Sequence, residues 1–379
     1  SGHKITMKPG ELLEKDSTVN QRASGGPYLW NYTLSGKGVE EWQPQFTYYG
    51  FRYVEVSDIE KLELVELTGM HTTNSAPEAG SFSCSLPMFN KIYELIDWSI
   101  RSNLASILTD CPHREKLGWL EVAHLMQHAM QYRYQLDGLY SKVMGDIKDS
   151  QTQEGIVPSI APEYVRFADG FENSPEWGSA FIIIPWYVYR WYGDKSLLSA
   201  YYPYMKRYLE YLSTRADNYI VAYGLGDWFD LGPKHPGYSQ LTSNGVTSTG
   251  MYYYNASIMS QIAKLLGEEK DEERFTQLAT CIRKAYNEKF YNTATKQYDR
   301  NSQTANAISL YFGLVEEQNR EVVYQNLIND IKNRNYALTS GDIGYRYLLR
   351  VLEENGDSDI IYKMNTKYDV PGYGWQLAY

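Results

Sequence analysis

The hydrophobic rhythm of the chain changes once, near residue 75. Before that point short alternating runs at residues 3–7, 27–34, 45–56 and 62–68 are separated by Pro9-Gly10, Gly25-Gly26 and Gly36, the pattern of antiparallel strands and turns. After it, apolar residues recur at three- and four-residue spacing in about eleven segments: 86–108, 117–136, 139–148, 177–192, 196–216, 249–266, 271–290, 305–314, 319–332, 343–355 and 358–364. Helices joined by Gly- and Pro-containing loops, with no strands between them, predict a mainly α toroid of helical hairpins instead of a doubly wound sheet. The expected division is residues 1–75, the trailing part of a larger antiparallel β domain, and residues 76–379, the helical module. Several of its loops carry Trp with Asp or Glu between two helices. Loops of that kind gather at one mouth of a ring, where a toroid places its site.

Composition narrows the partners. With 379 residues, 43% of them hydrophobic and 22% charged, the chain can bury a large core and is globular. A net charge of −10 argues against nucleic acid and against anionic membrane surfaces, both of which require clustered Lys and Arg. A neutral substrate suits it better. Aromatic residues reach 15%, with 36 Tyr and 9 Trp, which serves either sugar stacking or aromatic helix packing. Cys84, Cys111 and Cys281 are odd in number and widely spaced, so neither a disulfide framework nor a zinc site is indicated. No apolar run approaches the roughly 18 to 20 residues of a membrane span, and no membrane insertion is expected. The N-terminus shows no export signal but opens directly on a strand, as in a segment cut from a larger polypeptide, which leaves the compartment open.

The densest chemistry is the run Thr109-Asp110-Cys111-Pro112-His113-Arg114-Glu115-Lys116-Leu117-Gly118-Trp119-Leu120-Glu121. Carboxylates beside a flat ring are what hydrolysis of a sugar acetal needs: one acid protonates the departing oxygen while the indole faces the pyranose C–H groups. Cys111-Pro112 breaks the preceding helix and Leu117 is expected to begin the next, which puts Glu115 on the connecting loop. Burial against Trp119 would hold Glu115 protonated, and adjacent Arg114 would oppose this. Alternatively Glu115 caps the helix and Asp110 closes its predecessor. Glu121 is either a site carboxylate or a solvated helix position. His124 and His128 share a helical face, but no Glu follows His124, so the metalloprotease motif is absent and neither metal nor cofactor is expected. A second cluster, Glu172-Asn173-Ser174-Pro175-Glu176-Trp177-Gly178, offers Trp177, with Glu176 placed where a helix dipole favours it. A third, residues 223–233, offers Asp227, Trp228 and Asp230 in a Gly-rich loop that reads as a sugar platform, since no phosphate-cradle pattern follows. Residues 368–375 repeat the theme.

The run DCPHREKLGWLE resembles the signature of bacterial α-L-rhamnosidases of glycoside hydrolase family 78. The stretches Phe46-Thr47-Tyr48-Tyr49-Gly50-Phe51-Arg52-Tyr53-Val54, Glu176-Trp177-Gly178, Gly226-Asp227-Trp228 and Leu338-Thr339-Ser340-Gly341 agree in order and spacing. The resemblance implies an (α/α)6 barrel preceded by the C-terminal part of a jelly-roll, concanavalin-like β-sandwich. It implies that Glu115 is the general acid, Asp110 a ligand for sugar hydroxyls, Arg114 a brace for the acid, and Trp119, Trp177 and Trp228 aromatic walls, with Asp227 beside them. Many members carry Gly-Trp-x-Gly-Asp here, whereas this chain has Gly118-Trp119-Leu120-Glu121-Val122, so Glu121 is the substitute second carboxylate. Members act with inversion, which requires a base roughly 6.5–9.5 Å from the acid. In the family that base follows a Gly-Ala-Thr stretch expected just after Tyr379, which would leave this segment poorly active alone; Asp342 and Asp369 do not match its motif. The expected function is removal of terminal α-L-rhamnose from a rhamnose-bearing carbohydrate. The alternative is a non-catalytic carbohydrate-binding protein with a tryptophan-lined cleft. A lyase would need a basic cleft and a Tyr/His pair, against the acidic balance.

Overall fold

The computed structural model describes residues 1–60 and 62–378, and the chain divides into two compact units. The first comprises Ser1–Pro77 with Glu94–Gly118, the second Glu78–Tyr93 with the chain from Trp119 onward.

In the first unit Lys4–Gly10 is the central strand of a three-stranded antiparallel sheet, flanked by Trp30–Thr33 and Tyr53–Ser57. Pro9-Gly10, expected as a turn, continues this strand, with Pro9 opposite Val54 and Gly10 opposite Tyr53. Glycine is required there because a Cβ on Gly10 would meet Val19 Cγ1 at 2.5 Å. Residues 45–52 and 62–68 form no strand, and the alternation at 45–52 serves packing instead. Tyr28 stacks on Tyr49 at 4.5 Å, and Trp30 meets both Tyr49 and Phe51 edge-on. The helix expected over 86–108 is Pro87–Ser102, and this unit takes it from Glu94 onward. Asn103 stops it: its amide donates to the Ser99 carbonyl, and its Oδ1 accepts from the Thr109 hydroxyl. A two-residue ribbon, Leu104–Ala105 with Ile107–Leu108, follows.

The second unit is an alternation of inner and outer helices. Leu120–Leu125, Ala180–Tyr192, Asn244–Leu266, Gln303–Tyr311 and Asp342–Glu354 each pack on the next, and the last returns to the first. Within this inner ring Ala180–Tyr192 is apolar nearly all round, and its residues 180–188 are all buried. Ser196–Arg215, Glu269–Phe290, Arg320–Asn333 and Ser358–Thr366 pack outside it as hairpin partners. The outer helix Glu269–Phe290 shows why: it buries only the stripe Phe275, Ala279, Ile282 and Tyr286. Its hairpin with Asn244–Leu266 turns at Gly267, whose φ of 78° is the left-handed conformation that ends the first helix. Glu269, Asp271 and Glu272 then occupy the first turn of the second, where the helix dipole favours them. The expected helix 117–136 is two, Leu120–Leu125 and Gln127–Arg133, and a short helix, Tyr373–Ala378, was not anticipated.

Candidate active site

The signature run is divided between the units. In the first, residues 110–118 form a closed turn: Leu117 N–H donates to Asp110 Oδ1 at 3.1 Å and Asp110 N–H to the Leu117 carbonyl at 3.2 Å. These bonds take the amide that a helix starting at Leu117 would have left open, so the helix begins at Leu120. Asp110 is thus a turn clamp. The turn is anchored to the β module by Gly50 N–H on the Pro112 carbonyl at 2.8 Å and by Lys116 Nζ on the Tyr48 carbonyl at 2.6 Å. Lys116 adopts a φ of 56° and lies about 5 Å from the rings of Tyr28, Tyr48 and Tyr49. Burial pushes its ammonium pKa down. The turn presents Arg114 and Glu115 to solvent, with Arg114 Nε 3.5 Å from Glu115 Oε1. The helix that follows has Trp119 at its N-cap position and no side-chain cap.

In the second unit the site-bearing loops converge on the N-terminal ends of the inner helices, tied by buried carboxylates. Trp119 is extended, bridges to Ile160, and stacks on Phe167 at 5.1 Å. Glu121, 7% exposed, sits in the first turn that follows. Glu176 lies in the short helix Pro175–Gly178 and is fully buried. It accepts from the hydroxyls of Ser174 at 2.7 Å, Thr247 at 2.5 Å and Ser248 at 3.0 Å. Burial nonetheless pushes its pKa up. Trp177, 1% exposed, lies inside the fold and not on an open wall.

Asp227, taken from the sequence as a sugar ligand, is also fully buried. Its Oδ2 accepts from the Thr304 hydroxyl at 2.5 Å and from Gly341 N–H at 2.9 Å; its Oδ1 accepts from Gly344 N–H at 2.8 Å. One carboxylate therefore binds the starts of Gln303–Tyr311 and Asp342–Glu354 to its own loop. Burial outweighs those bonds and pushes the Asp227 pKa up to about 7. Asp230 shapes the next stretch by accepting from the backbone N–H groups of Gln240 and Leu241. Trp228, between the two acids, remains partly exposed, with Phe171 and Tyr238 edge-on to its ring, each at 5.3 Å.

Asp342 was set aside in the sequence but belongs to this mouth. Its N–H donates to the Trp228 carbonyl at 2.8 Å. Its side chain is exposed to solvent, and the surrounding protein pushes its pKa up to about 6. Phe167, Phe171 and Tyr238 were also missed, since they stand in loops without a motif. His124 and His128 do not converge. His124 Nε2 is 2.8 Å from the Glu176 carbonyl and burial holds the ring down to about 3, while His128 Nδ1 accepts from Arg346. Among the described residues no group of three or more His, Cys, Asp or Glu is disposed to hold a metal ion.

A ring of helical hairpins with its carboxylates and indoles at one mouth is a glycosidase architecture. Residues 77–379 match the bacterial alpha-L-rhamnosidase 6 hairpin glycosidase domain, and residues 1–73 the bacterial alpha-L-rhamnosidase concanavalin-like domain. The chain belongs to the bacterial α-L-rhamnosidase family. It is 31% identical to an alpha-L-rhamnosidase of Formosa agariphila, over 97% of this chain and 42% of that protein. The structure of the alpha-L-rhamnosidase from Dictyoglumus thermophilum superposes with a TM-score of 0.91 at 34% identity, covering 100% of this chain and 43% of that one. The Streptomyces avermitilis alpha-L-rhamnosidase complexed with L-rhamnose gives 0.89 at 29% identity, covering 100% of this chain and 36% of that one. The chain spans 36% of the curated Streptomyces avermitilis relative's length and 42% of the Formosa agariphila one.

Proposed function

We propose that this chain carries the hydrolytic module of an enzyme that removes terminal α-L-rhamnose from a neutral glycoside or polysaccharide, with inversion at the anomeric carbon. The observation that supports this reading is the turn at residues 110–118, locked by Asp110 and by Lys116, which leaves the Glu115 carboxyl open to solvent beside Arg114. Glu115 donates its proton to the glycosidic oxygen as the bond to the anomeric carbon lengthens, and Arg114 holds the resulting carboxylate in place. Asp110 accepts a sugar hydroxyl with the oxygen that Leu117 does not use. Trp119 and Trp228 offer aromatic faces to the apolar side of the ring, and Glu121 accepts a further hydroxyl. Trp177 and Asp227 act from behind these groups, holding the mouth in shape. A relative whose structure holds L-rhamnose supports the choice of sugar. The test is incubation of the full-length protein with an aryl α-L-rhamnoside while the sugar anomer is followed by proton NMR. β-L-Rhamnose as the first product supports the reading, α-L-rhamnose first refutes inversion, and binding without turnover makes the protein a carbohydrate-binding one.

A further inference from the structure

We infer that the helical ring carries a second, non-catalytic saccharide site at its opposite mouth, a cavity of about 420 Å³ that takes a neutral pyranose. This site goes beyond the rhamnoside reading and does not depend on it, because none of its residues belongs to the candidate active site.

Four inner helices, Ala180–Tyr192, Asn244–Leu266, Gln303–Tyr311 and Asp342–Glu354, line the cavity with residues toward their C-terminal ends, whereas the candidate active site gathers at their N-terminal ends. Arg190 is about 15 Å along its helix from Ala180, at a rise of about 1.5 Å per residue. The volume lies within the roughly 300–1,000 Å³ of small-molecule pockets. Its walls are aromatic. Trp191 is 38% exposed, and the Arg190 guanidinium lies over the Trp186 ring at 5.8 Å. The hydroxyls of Tyr254, Tyr187 and Tyr311 form a chain, with contacts of 2.5 and 3.2 Å. Three hydroxyls that share two bonds keep one proton, for which the described residues supply no acceptor.

The balance of charge selects the ligand class. Arg190 and Arg350 are matched by Glu353 and Glu354, which pair with Arg350 at 2.6 and 3.3 Å. Arg346, which donates to His128 Nδ1, is offset by the partly negative C-terminal ends of the converging helices. His128 itself is neutral, since burial and the guanidiniums of Arg346, Arg350 and Arg190 hold its pKa down to about 3. The charges cancel, which selects neither an acid nor an amine. Donors and acceptors stand side by side instead. Arg190 makes no hydrogen bond or ion pair among the described residues, Gln261 donates to the Ser257 carbonyl at 3.3 Å and keeps its Oε1, and Glu354 keeps one oxygen. A hydroxyl both donates and accepts, so a ring carrying several of them can use all of these groups while its C–H face lies on an indole. A neutral pyranose has that combination.

The test uses the full-length protein and follows binding of D-glucose, D-galactose and L-rhamnose by saturation-transfer NMR, with D-glucuronate as the charged control. Wild type is compared with Trp191→Ala and Gln261→Ala, and hydrolysis of an aryl α-L-rhamnoside is measured on the same samples. At least one neutral sugar is expected to bind with a Kd that rises about 10-fold in Trp191→Ala, while kcat and KM keep their wild-type values. Gln261→Ala should weaken the same sugar by about 5-fold and serves alone if Trp191→Ala does not fold. Neutral-sugar affinities unchanged in both variants would overturn the assignment. So would tighter binding of D-glucuronate than of any neutral sugar, which would make the cavity an acid site, or a fall in kcat that tracks the loss of binding. A wild type that hydrolyses no α-L-rhamnoside would refute the rhamnosidase reading, and the binding comparison would still decide this one.

Discussion

Asp227→Asn replaces a buried carboxyl at the candidate mouth with an amide of the same volume, and the structure says what it costs. Backbone N–H groups approach both carboxylate oxygens, Gly341 at 2.9 Å and Gly344 at 2.8 Å. An amide has only one acceptor oxygen, so in either orientation its NH2 faces a backbone N–H that cannot turn away. The Thr304 hydroxyl can reverse; the peptide groups cannot. Below pH 7 the carboxyl is held protonated, so losing one neutral hydrogen bond, about 0.5–1.5 kcal/mol, and stranding a buried N–H, about 1–3 kcal/mol, gives a destabilisation of roughly 2–4 kcal/mol. The pH dependence carries a sign of its own. Burial holds the Asp227 carboxyl up to about 7, against 3.8 ordinarily, so between those values the folded protein keeps a proton that the unfolded chain gives up. Its contribution is complete below pH 4 and is lost as pH rises through 7, by at most about 1.4 kcal/mol per pH unit. Asparagine does not titrate. The advantage of Asp over Asn should therefore be large at pH 5 and shrink by about 2–3 kcal/mol by pH 8, read from denaturant unfolding of both proteins at pH 5, 6.5 and 8. Equal stabilities at pH 5, or a gap that widens with pH, would refute the reasoning.

Other substitutions probe the same supports. Glu176→Gln should cost about 1 kcal/mol or less, since its three donors are hydroxyls able to reverse; a loss matching that of Asp227→Asn in the same unfolding assay would contradict the distinction between hydroxyl and peptide donors. Gly344→Ala places a Cβ 1.9 Å from Thr304 Oγ1, on a short branched side chain with no room to yield, and should cost about 1–3 kcal/mol or more. An unchanged melting temperature would show that the two helices are less tightly joined. Lys116→Met removes the ammonium from among Tyr28, Tyr48 and Tyr49 and its bond to the Tyr48 carbonyl, and should cost about 1–3 kcal/mol and lower kcat by loosening the turn that carries Glu115. Wild-type unfolding and turnover in this variant would remove the turn's dependence on that anchor.

The helical ring was legible because its periodicity runs through long segments, and residues 180–188 announce an inner helix by being apolar on every side. Boundaries moved where a side chain bonded backbone locally: Asn103 ended one helix early, and Asp110 delayed the next until Leu120. The signature run was readable because its chemistry is contiguous. Asp227 was recognised as important but read as facing the ligand, since a loop of Gly, Asp and Trp does not reveal that its carboxylate reaches Gly341, 114 residues away. Asp342 was set aside because a single acid opening a helix resembles an ordinary cap, and only the fold brings its backbone N–H to the Trp228 carbonyl.

If Glu115 protonates the departing oxygen, its loss must be felt in proportion to the leaving group's need for a proton. Turnover by wild type and Glu115→Gln is compared on an alkyl α-L-rhamnoside and on a dinitrophenyl α-L-rhamnoside, in the full-length protein. A fall of about 10²- to 10⁴-fold is expected on the alkyl substrate and a far smaller one on the dinitrophenyl substrate, whose oxygen departs without a proton. Equal losses on both, or no loss on the alkyl rhamnoside, would contradict it.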